Sequence, residues 1–490
     1  MDTSYESLPA TVSRRKVLGM LARASAGAML APFEVLAGAP GRKTAVVVGA
    51  GIAGLSAAWE LQRAGFATLV LEKSAFAGGR MRDAWVGKLR YSPHALGVSS
   101  YNREMFALAD EIGIAAELAG DSESDSYPVD NGIGVYASGL RFDIAEIARI
   151  PGIAEETRRR LPRLLPDLAA IAREVDPCLI DTGASYDDES LADYYTRQLG
   201  PESARQVLDW WINVVLEAAG WPAANTSKIA LLMGLAQEGA RFRVPKGGIG
   251  VLTRALADRL DVRLGHAVRY ITPPDAQGRH TLHYLTPALE RRSLTPDVVV
   301  VATEGKYIPS LVQGLAPEDD AFFRGMDFSK ACGAIWVLDP RRAPMLNDAM
   351  GYTRSHPDPV KRQVAIWSVS NPAAYGGDAP PSASVNLTRE AVFEWQDSGR
   401  TQQDYCLPLL LQLCPALHED MITDVIVTGC DDLVYMPVGH ARQAARLLRV
   451  QERSRRGIYF AGEFVSGAHT GAACASGRTV ARSIVRHWLA

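Results

Sequence analysis

Residues 44–72, TAVVVGAGIAGLSAAWELQRAGFATLVLE, leave a chain few ways to fold. Residues 45–48 are an apolar, β-branched run suited to a strand buried on both faces. Gly49, Gly51 and Gly54 follow in GAGIAG, with Ile52 and Ala53 between the last two. Leu55, Ala58, Trp59 and Leu61 then recur at helical spacing, and Gly65 supplies a stop. A second apolar run, 67–71, ends in Glu72, 18 residues beyond Gly54. The unit reads strand–turn–helix–strand with an acid at the tip of its second strand. In such a unit the first glycine makes the tight turn and the second admits a pyrophosphate to the backbone. The third lets helix and strand pack closely, the helix N-terminus faces the phosphates, and the acid accepts from a ribose diol. A glycine-rich turn without a nucleotide is the alternative. The strand, helix and acid in register argue against it.

Past Glu72 the chain continues KSAFAGGRM, setting Lys73, Gly78, Gly79 and Arg80 just beyond the ribose acid. Here the sequence resembles the flavin amine oxidase superfamily, which includes monoamine and polyamine oxidases, protoporphyrinogen oxidase and carotenoid desaturases. The resemblance implies FAD, with Lys73 and Gly79 in the second contact segment and Arg80 near the pyrophosphate and flavin. A structural Gly-Gly turn with a solvated arginine is the plainer alternative. The other end carries GIYFAG at 457–462 followed by Glu463, similar to the family's closing FAD motif. There Gly462 and the acid meet the ribityl and pyrophosphate part. Gly471 and Ala472 open a final helix whose N-terminus points at the flavin's pyrimidine edge. Between the ends, PKGG at 245–248 leads into a helix at 249–260 and a strand at 261–271. In the resembled family a valine on that strand lies under the adenine, and Val268 matches by position. DVVVVAT at 297–303 resembles the last strand of the nucleotide domain.

The fold class implied is α/β: a Rossmann-like FAD-binding domain with an interleaved α+β substrate domain, a mixed sheet plus a helical insertion. Residues 44–142, 240–306 and 440–490 would build the first; 143–239 and 307–439 would build the second.

The insertion reads as helices at 157–175, 191–199, 203–218 and 227–235. Arg158, Arg159, Arg160 and Arg163 suggest either a face for peripheral membrane contact or a solvated helix surface. Trp210, Trp211 and Trp221 are candidates for an aromatic pocket or for core. A strand at 328–338 opens with Lys330, and another spans 364–369. In many superfamily amine oxidases a lysine so placed holds a water against flavin N5; a surface lysine at a strand end is the alternative for Lys330. Two aromatic residues flank the substrate nitrogen in the family, and an ungapped count puts Tyr435 and His469 there. Histidine departs from the usual pair. Val434 stands where a covalently attached flavin would need cysteine, so the FAD is expected to be non-covalent. His94, in the segment that wraps the cofactor in relatives, reads as near the flavin or as structural.

At 490 residues and 47% hydrophobic, the chain has material for two or three domains, and a net charge of −3 points to no nucleic-acid partner. No apolar run approaches a membrane span. Six cysteines show neither CxxC nor metal spacing. The first 40 residues, with Arg14-Arg15-Lys16 ahead of a short apolar stretch and small residues at 37–39, have the layout of a twin-arginine export leader. That predicts a periplasmic protein; without export it would be cytoplasmic. The function implied by the resemblance is removal of hydride from a C–H beside nitrogen of a small-molecule substrate. O2, or another acceptor, would take the electrons, with O2 giving H2O2. A carbon–carbon desaturase of an apolar or cyclic substrate is the second possibility, and a non-catalytic flavin-binding partner the third.

Overall fold

The computed structural model describes residues 41–95, 97–119, 127–130, 135–138, 144–209, 220–343, 346, 349–352, 358–370, 379–429, 433–453 and 455–489. The leader with Arg14 and Arg15, and Trp210 and Trp211, lie outside the described residues.

The apolar runs become a parallel sheet. β1 (Thr44–Val48) is followed by helix α1 (Ile52–Arg63) and β2 (Ala67–Leu71); β3 (Val262–Arg263), β4 (Val298–Val301) and β5 (Ile458–Phe460) join later, in the order β5-β4-β1-β2-β3. Val46 stands opposite Val299 on one side of β1 and Leu69 on the other. Strand alternation then splits the side chains between two cores. Ala45, Val47, Val70, Val298 and Val300 face one, with α1. Val46, Val48, Leu69, Leu71, Val299 and Val301 face the other, shared with the helical insertion. Both faces are therefore dry, as the β-branched runs predict.

The remaining labelled helices are α2 (Arg103–Glu111), α3 (Leu191–Leu199), α4 (His440–Arg453) and α5 (Thr470–Trp488). Among the described residues a second sheet runs Ile422–Val427, Gly333–Leu338, Ser382–Leu387, Val364–Ser370, Ala349–Tyr352, Tyr127–Asp130, Val135–Ser138. It is mixed, because Ala349–Tyr352 pairs in parallel with Tyr127–Asp130 while its other neighbours are antiparallel.

Three elements depart from the sequence expectation. The stretch 261–271 is two strands, not one: after β3, Gly265 turns at φ +70 and Ala267–Ile271 joins an antiparallel meander. The helix expected at 157–175 divides at its prolines into Glu155–Arg160, a tighter turn Leu161–Leu164, and Leu165–Glu174. Lys330 precedes the strand Gly333–Leu338 instead of opening it. Among the described residues no helix is long and apolar enough to cross a membrane, and no cluster suited to a metal ion occurs.

Candidate cofactor and substrate site

Each glycine of the first turn has its own job. Gly49, at φ +105, lies so near β4 that a Cβ would be 2.6 Å from Ala302 O. A Cβ on Gly54 would fall 2.0 Å from Gly49 O, so helix and turn touch only because none is there. Gly51 is different: a Cβ there would meet nothing within 4 Å. The open side of the turn is thus at the position where a pyrophosphate must approach backbone N–H groups. Ile52 and Ala53 form the first turn of α1, both buried.

Glu72 closes one end of this space. Its Oε2 accepts from Ala50 N at 2.8 Å and its Oε1 from Ser74 N at 2.8 Å, which fixes the carboxylate beside the turn. His266 N donates to Glu72 O at 2.8 Å, bringing Val268 to the same edge of the sheet. Lys73 is exposed, its Nζ 4.7 Å from the Tyr307 ring centroid.

The second and third motifs converge on the first. Gly78 N donates to Ala50 O at 2.7 Å, and a Cβ on Gly79 (φ +55) would lie 3.4 Å from Gly51 Cα. Arg80 Nη2 pairs with Glu463 Oε2 at 2.6 Å, joining loops 383 positions apart (463 − 80). Glu463 is 7% exposed, and burial pushes its carboxyl up while Arg80 pulls it down. Gly462 N donates to Ser476 Oγ at 3.0 Å, and a Cβ on Gly462 would be 2.5 Å from the Phe464 ring. A Cβ on Gly471 would run into the Asn102 side chain at 2.2 Å. Ala472, wholly buried, sits in the first turn of α5. These residues bring the turn at 49–54, the turn at 78–80, the Glu72 carboxylate and the start of α5 together. The donor set fits FAD.

At the candidate substrate residues, Tyr435 N donates to Asp327 O at 2.9 Å and Ser329 N to Leu433 O at 2.7 Å. The segment carrying Tyr435 therefore runs beside the one carrying Lys330, whose backbone packs against Gly220. Tyr435 is buried edge-to-face with Trp221, centroids 6.3 Å apart. Its hydroxyl lies near Thr226 without a hydrogen bond of ordinary geometry, and among the described residues the Trp221 Nε1–H has no acceptor. Burial raises the Tyr435 phenol above its usual range. Val434 is wholly buried.

His469 is the N-cap of α5. Its Nδ1 accepts from Ala472 N at 3.2 Å and its Nε2 bonds Pro177 O at 2.9 Å. Since Nδ1 is an acceptor, Nε2 carries the proton and the ring is neutral. Burial lowers its pKa, opposed by the Pro177 carbonyl. Its ring lies edge-on to Tyr101 at 5.8 Å. His94 is half-buried. Arg158, Arg159 and Arg160 pair with Glu155 and Glu156 at 3.8, 2.9 and 2.7 Å, the arrangement of a solvated helix face.

A family model for flavin containing amine oxidoreductases matches residues 52–485. The chain belongs to this family. It is an oxidoreductase and its cofactor is FAD. Among curated relatives, the L-amino-acid oxidase of Bothrops pauloensis is 27% identical over 286 residues, 54% of this chain and 52% of that protein. The match to the Cerastes cerastes L-amino acid oxidase, also 27% identical, covers 53% and 51%. The chain thus spans about half the length of these relatives. Two solved structures share the fold over nearly the whole chain. Putrescine oxidase bound to putrescine has a TM-score of 0.69 at 15% identity, covering 93% of this chain and 100% of its own. Cyclohexylamine oxidase from Brevibacterium oxydans has 0.64 at 14%, covering 91% and 99%.

Several residues that build the site are invisible to motif reading. Asp83 bonds Gly250 N at 3.2 Å, pairs with Arg254, and occupies the space a Cβ on Gly248 would need, so it seats the PKGG element. Gly477 lets α5 press on α1, where a Cβ would be 2.1 Å from Ala53 O. Arg478, 4% exposed at its side chain, reaches Glu60 at 2.7 Å, Glu104 at 3.0 Å and Glu111 at 2.5 Å, clamping α1, α2 and α5 together. A small residue followed by arginine on the last helix was the available signal. The partners, hundreds of positions away, were not.

Proposed function

We propose that this enzyme oxidises a small amine-type substrate at a C–H beside nitrogen, with O2 as the electron acceptor and H2O2 as a product. When bound, FAD supplies the two-electron oxidising chemistry that no side chain has. The observation that carries the reading is the Tyr435–Trp221 corner. It is buried and aromatic, with two donors that no group among the described residues satisfies with ordinary hydrogen-bond geometry, on a segment bonded to that of Lys330. Such a corner suits a ligand with an apolar body and one polar group. The curated L-amino-acid oxidases, whose names state an amine-bearing substrate, support the same class.

In this reading Tyr435 and Trp221 orient the substrate and exclude water. Lys330 holds a water at the reacting edge. His469 keeps the N-terminus of α5 in place, and that helix end stabilises negative charge developing nearby. Glu72 and Arg80 hold the ribose and phosphate ends, while Val434 offers no nucleophile for covalent attachment. Residues 1–40 direct the folded protein across the membrane by the twin-arginine route.

The test is an anaerobic screen of primary amines, diamines and amino acids for loss of the oxidised-flavin absorbance, with peroxide measured on aeration. Bleaching by an amine with peroxide release is expected. A second reading, carbon–carbon desaturation, is favoured by His469 in place of the second aromatic. A fold-related protein of Exiguobacterium is assigned as a protoporphyrinogen oxidase. Bleaching by a cyclic tetrapyrrole donor and by no amine would decide for it. Export is tested by Arg14→Lys/Arg15→Lys, which should hold the protein in the cytoplasm with its leader uncut. Identical fractionation of variant and wild type would refute the leader.

A further inference from the structure

Helix α4, HARQAARLLRVQER, has two contrasting sides. Ala441, Ala444, Ala445, Leu447 and Gln451 are buried against the body. Arg442, Arg446, Arg449 and Arg453 are exposed. Their spacing of four, three and four residues places them within about 60° of one another around the axis, in a row about 16 Å long.

Several helical arginines elsewhere have acidic partners: Arg205 has Glu202 and Asp209, Arg324 has Asp320, and Arg482 has Glu104. The only acid within α4 is Glu452, which turns to Arg486 at 3.4 Å. Among the described residues none of the four arginines in the row makes an ion pair. Arg446, Arg449 and Arg453 stand around an open depression of about 380 Å³ with Val450, itself 46% exposed.

The helix is held so that this face stays outward. Asp187 caps its start, accepting from Gly439 N at 2.8 Å and Arg442 N at 3.1 Å. Near the other end Gln451 exchanges two bonds with Phe460, at 2.6 and 3.1 Å. A rigid row of unpaired guanidinium groups around an apolar spot is a surface for clustered phosphates. The row contains no exposed aromatic side chain to stack on a base, whereas Val450 offers an apolar contact suited to a lipid boundary.

We infer that the outer face of α4 docks on an anionic phospholipid surface, the arginines contacting headgroup phosphates and Val450 the acyl–headgroup boundary. The contact is flat and electrostatic, since the helix's apolar side is committed to the core.

The test is co-sedimentation of the FAD-loaded full-length protein with phosphatidylcholine vesicles, with and without phosphatidylglycerol. Binding should require phosphatidylglycerol and weaken as salt is raised. Each arginine contributes about fivefold, so Arg446→Glu/Arg449→Glu/Arg453→Glu, which also reverses each charge, should bind at least about a hundredfold less, with an unchanged flavin spectrum. Arg446→Gln/Arg449→Gln serves if the triple variant fails to fold, and should lose about 25-fold. Arg158→Glu/Arg159→Glu, at paired positions, should bind as wild type. Variants of the row that pellet like wild type, equal binding to pure phosphatidylcholine, or tighter binding to duplex DNA than to phosphatidylglycerol vesicles would each overturn the inference.

Discussion

Two glycines three residues apart make opposite predictions. Gly51 has an ordinary extended backbone, φ −74 and ψ 174, and open space where its Cβ would be. Alanine there strains nothing in the cofactor-free protein. It trades a better N-cap for a less flexible unfolded chain, two effects below about 1 kcal/mol and opposite in sign. Gly54 has no such room, with Gly49 O at 2.0 Å and Val47 Cγ1 at 3.2 Å from a built Cβ. Alanine there must push α1 off the turn, a strain of about 1–3 kcal/mol or more.

Cofactor affinity should respond differently. The Gly51→Ala methyl occupies the space the pyrophosphate needs and removes at least one charge-assisted bond, worth about 1.5–3 kcal/mol. FAD affinity should fall on the order of ten- to a hundredfold. Urea unfolding of the apoprotein and calorimetric titration with FAD separate the two effects. Gly51→Ala should move only the second, and Gly54→Ala both. If Gly51→Ala binds FAD as wild type, or its apoprotein loses more than the roughly 1 kcal/mol expected, the pyrophosphate does not approach at Gly51.

Arg478→Met should destabilise the protein by about 3 kcal/mol in denaturant unfolding. It strands three carboxylates, of which Arg482 and Arg63 can still reach Glu104 and Glu111; a loss below the ~1 kcal/mol of an exposed pair would deny the clamp. Asp181 has a buried Oδ1 without a partner among the described residues, and burial lifts its pKa from 3.8 to about 6. A carboxyl raised on folding contributes stability below its unfolded pKa and loses it as pH rises through the folded value, so ionised Asp181 costs at most about 3 kcal/mol at pH ~8. Asp181→Asn should raise Tm at that pH and leave it nearly unchanged near pH ~4; equal effects at both would refute the assignment. His469→Phe should cost about 1 kcal/mol as a lost cap, and His469→Asn should restore most of it. Because burial holds the wild-type ring neutral, stopped-flow reduction of both variants should show no missing limb near pH ~6.5; a limb lost with the histidine would mean the ring is free to titrate.

What was legible in the sequence was what neighbours in sequence decide. The expected strand 67–71 and helix 191–199 match β2 and α3 residue for residue. Their signals, an apolar β-branched run and a stepped apolar face between Ser190 and Gly200, are local. Ser190 caps α3 by accepting from Asp193 N. The 261–271 stretch misled because its halves look alike, and only their partners, β2 for one and Leu282–Leu285 for the other, distinguish them. Lys330 sits outside its expected strand because 328 pairs by a single bridge with Val434, a partner no periodicity reveals.

The same division separates the proposed cofactor half of the site, which leaves motifs in the sequence, from the proposed substrate half, which does not. The proposed FAD contacts draw largely on backbone: glycines that must lack a Cβ, helix ends, and an acid at a strand tip. Those needs are met within short windows and so leave motifs. The Tyr435–Trp221 corner arises where 433–438 is laid between 327–329 and 225–227, through bonds such as Ser227 N to Met436 O at 3.0 Å. No spacing within one window encodes such a meeting. Counting from a motif can reach its residues but not their orientation. His469 illustrates this: the count brought it to the mouth of α5, and the fold turned both ring nitrogens onto the backbone. A histidine there trades the stacking face of an aromatic cage for a fixed helix end. If the proposed substrate site is right, the grip comes mainly from the Tyr435 side, so substitutions at Tyr435 and Trp221 should alter substrate preference more than substitutions at His469.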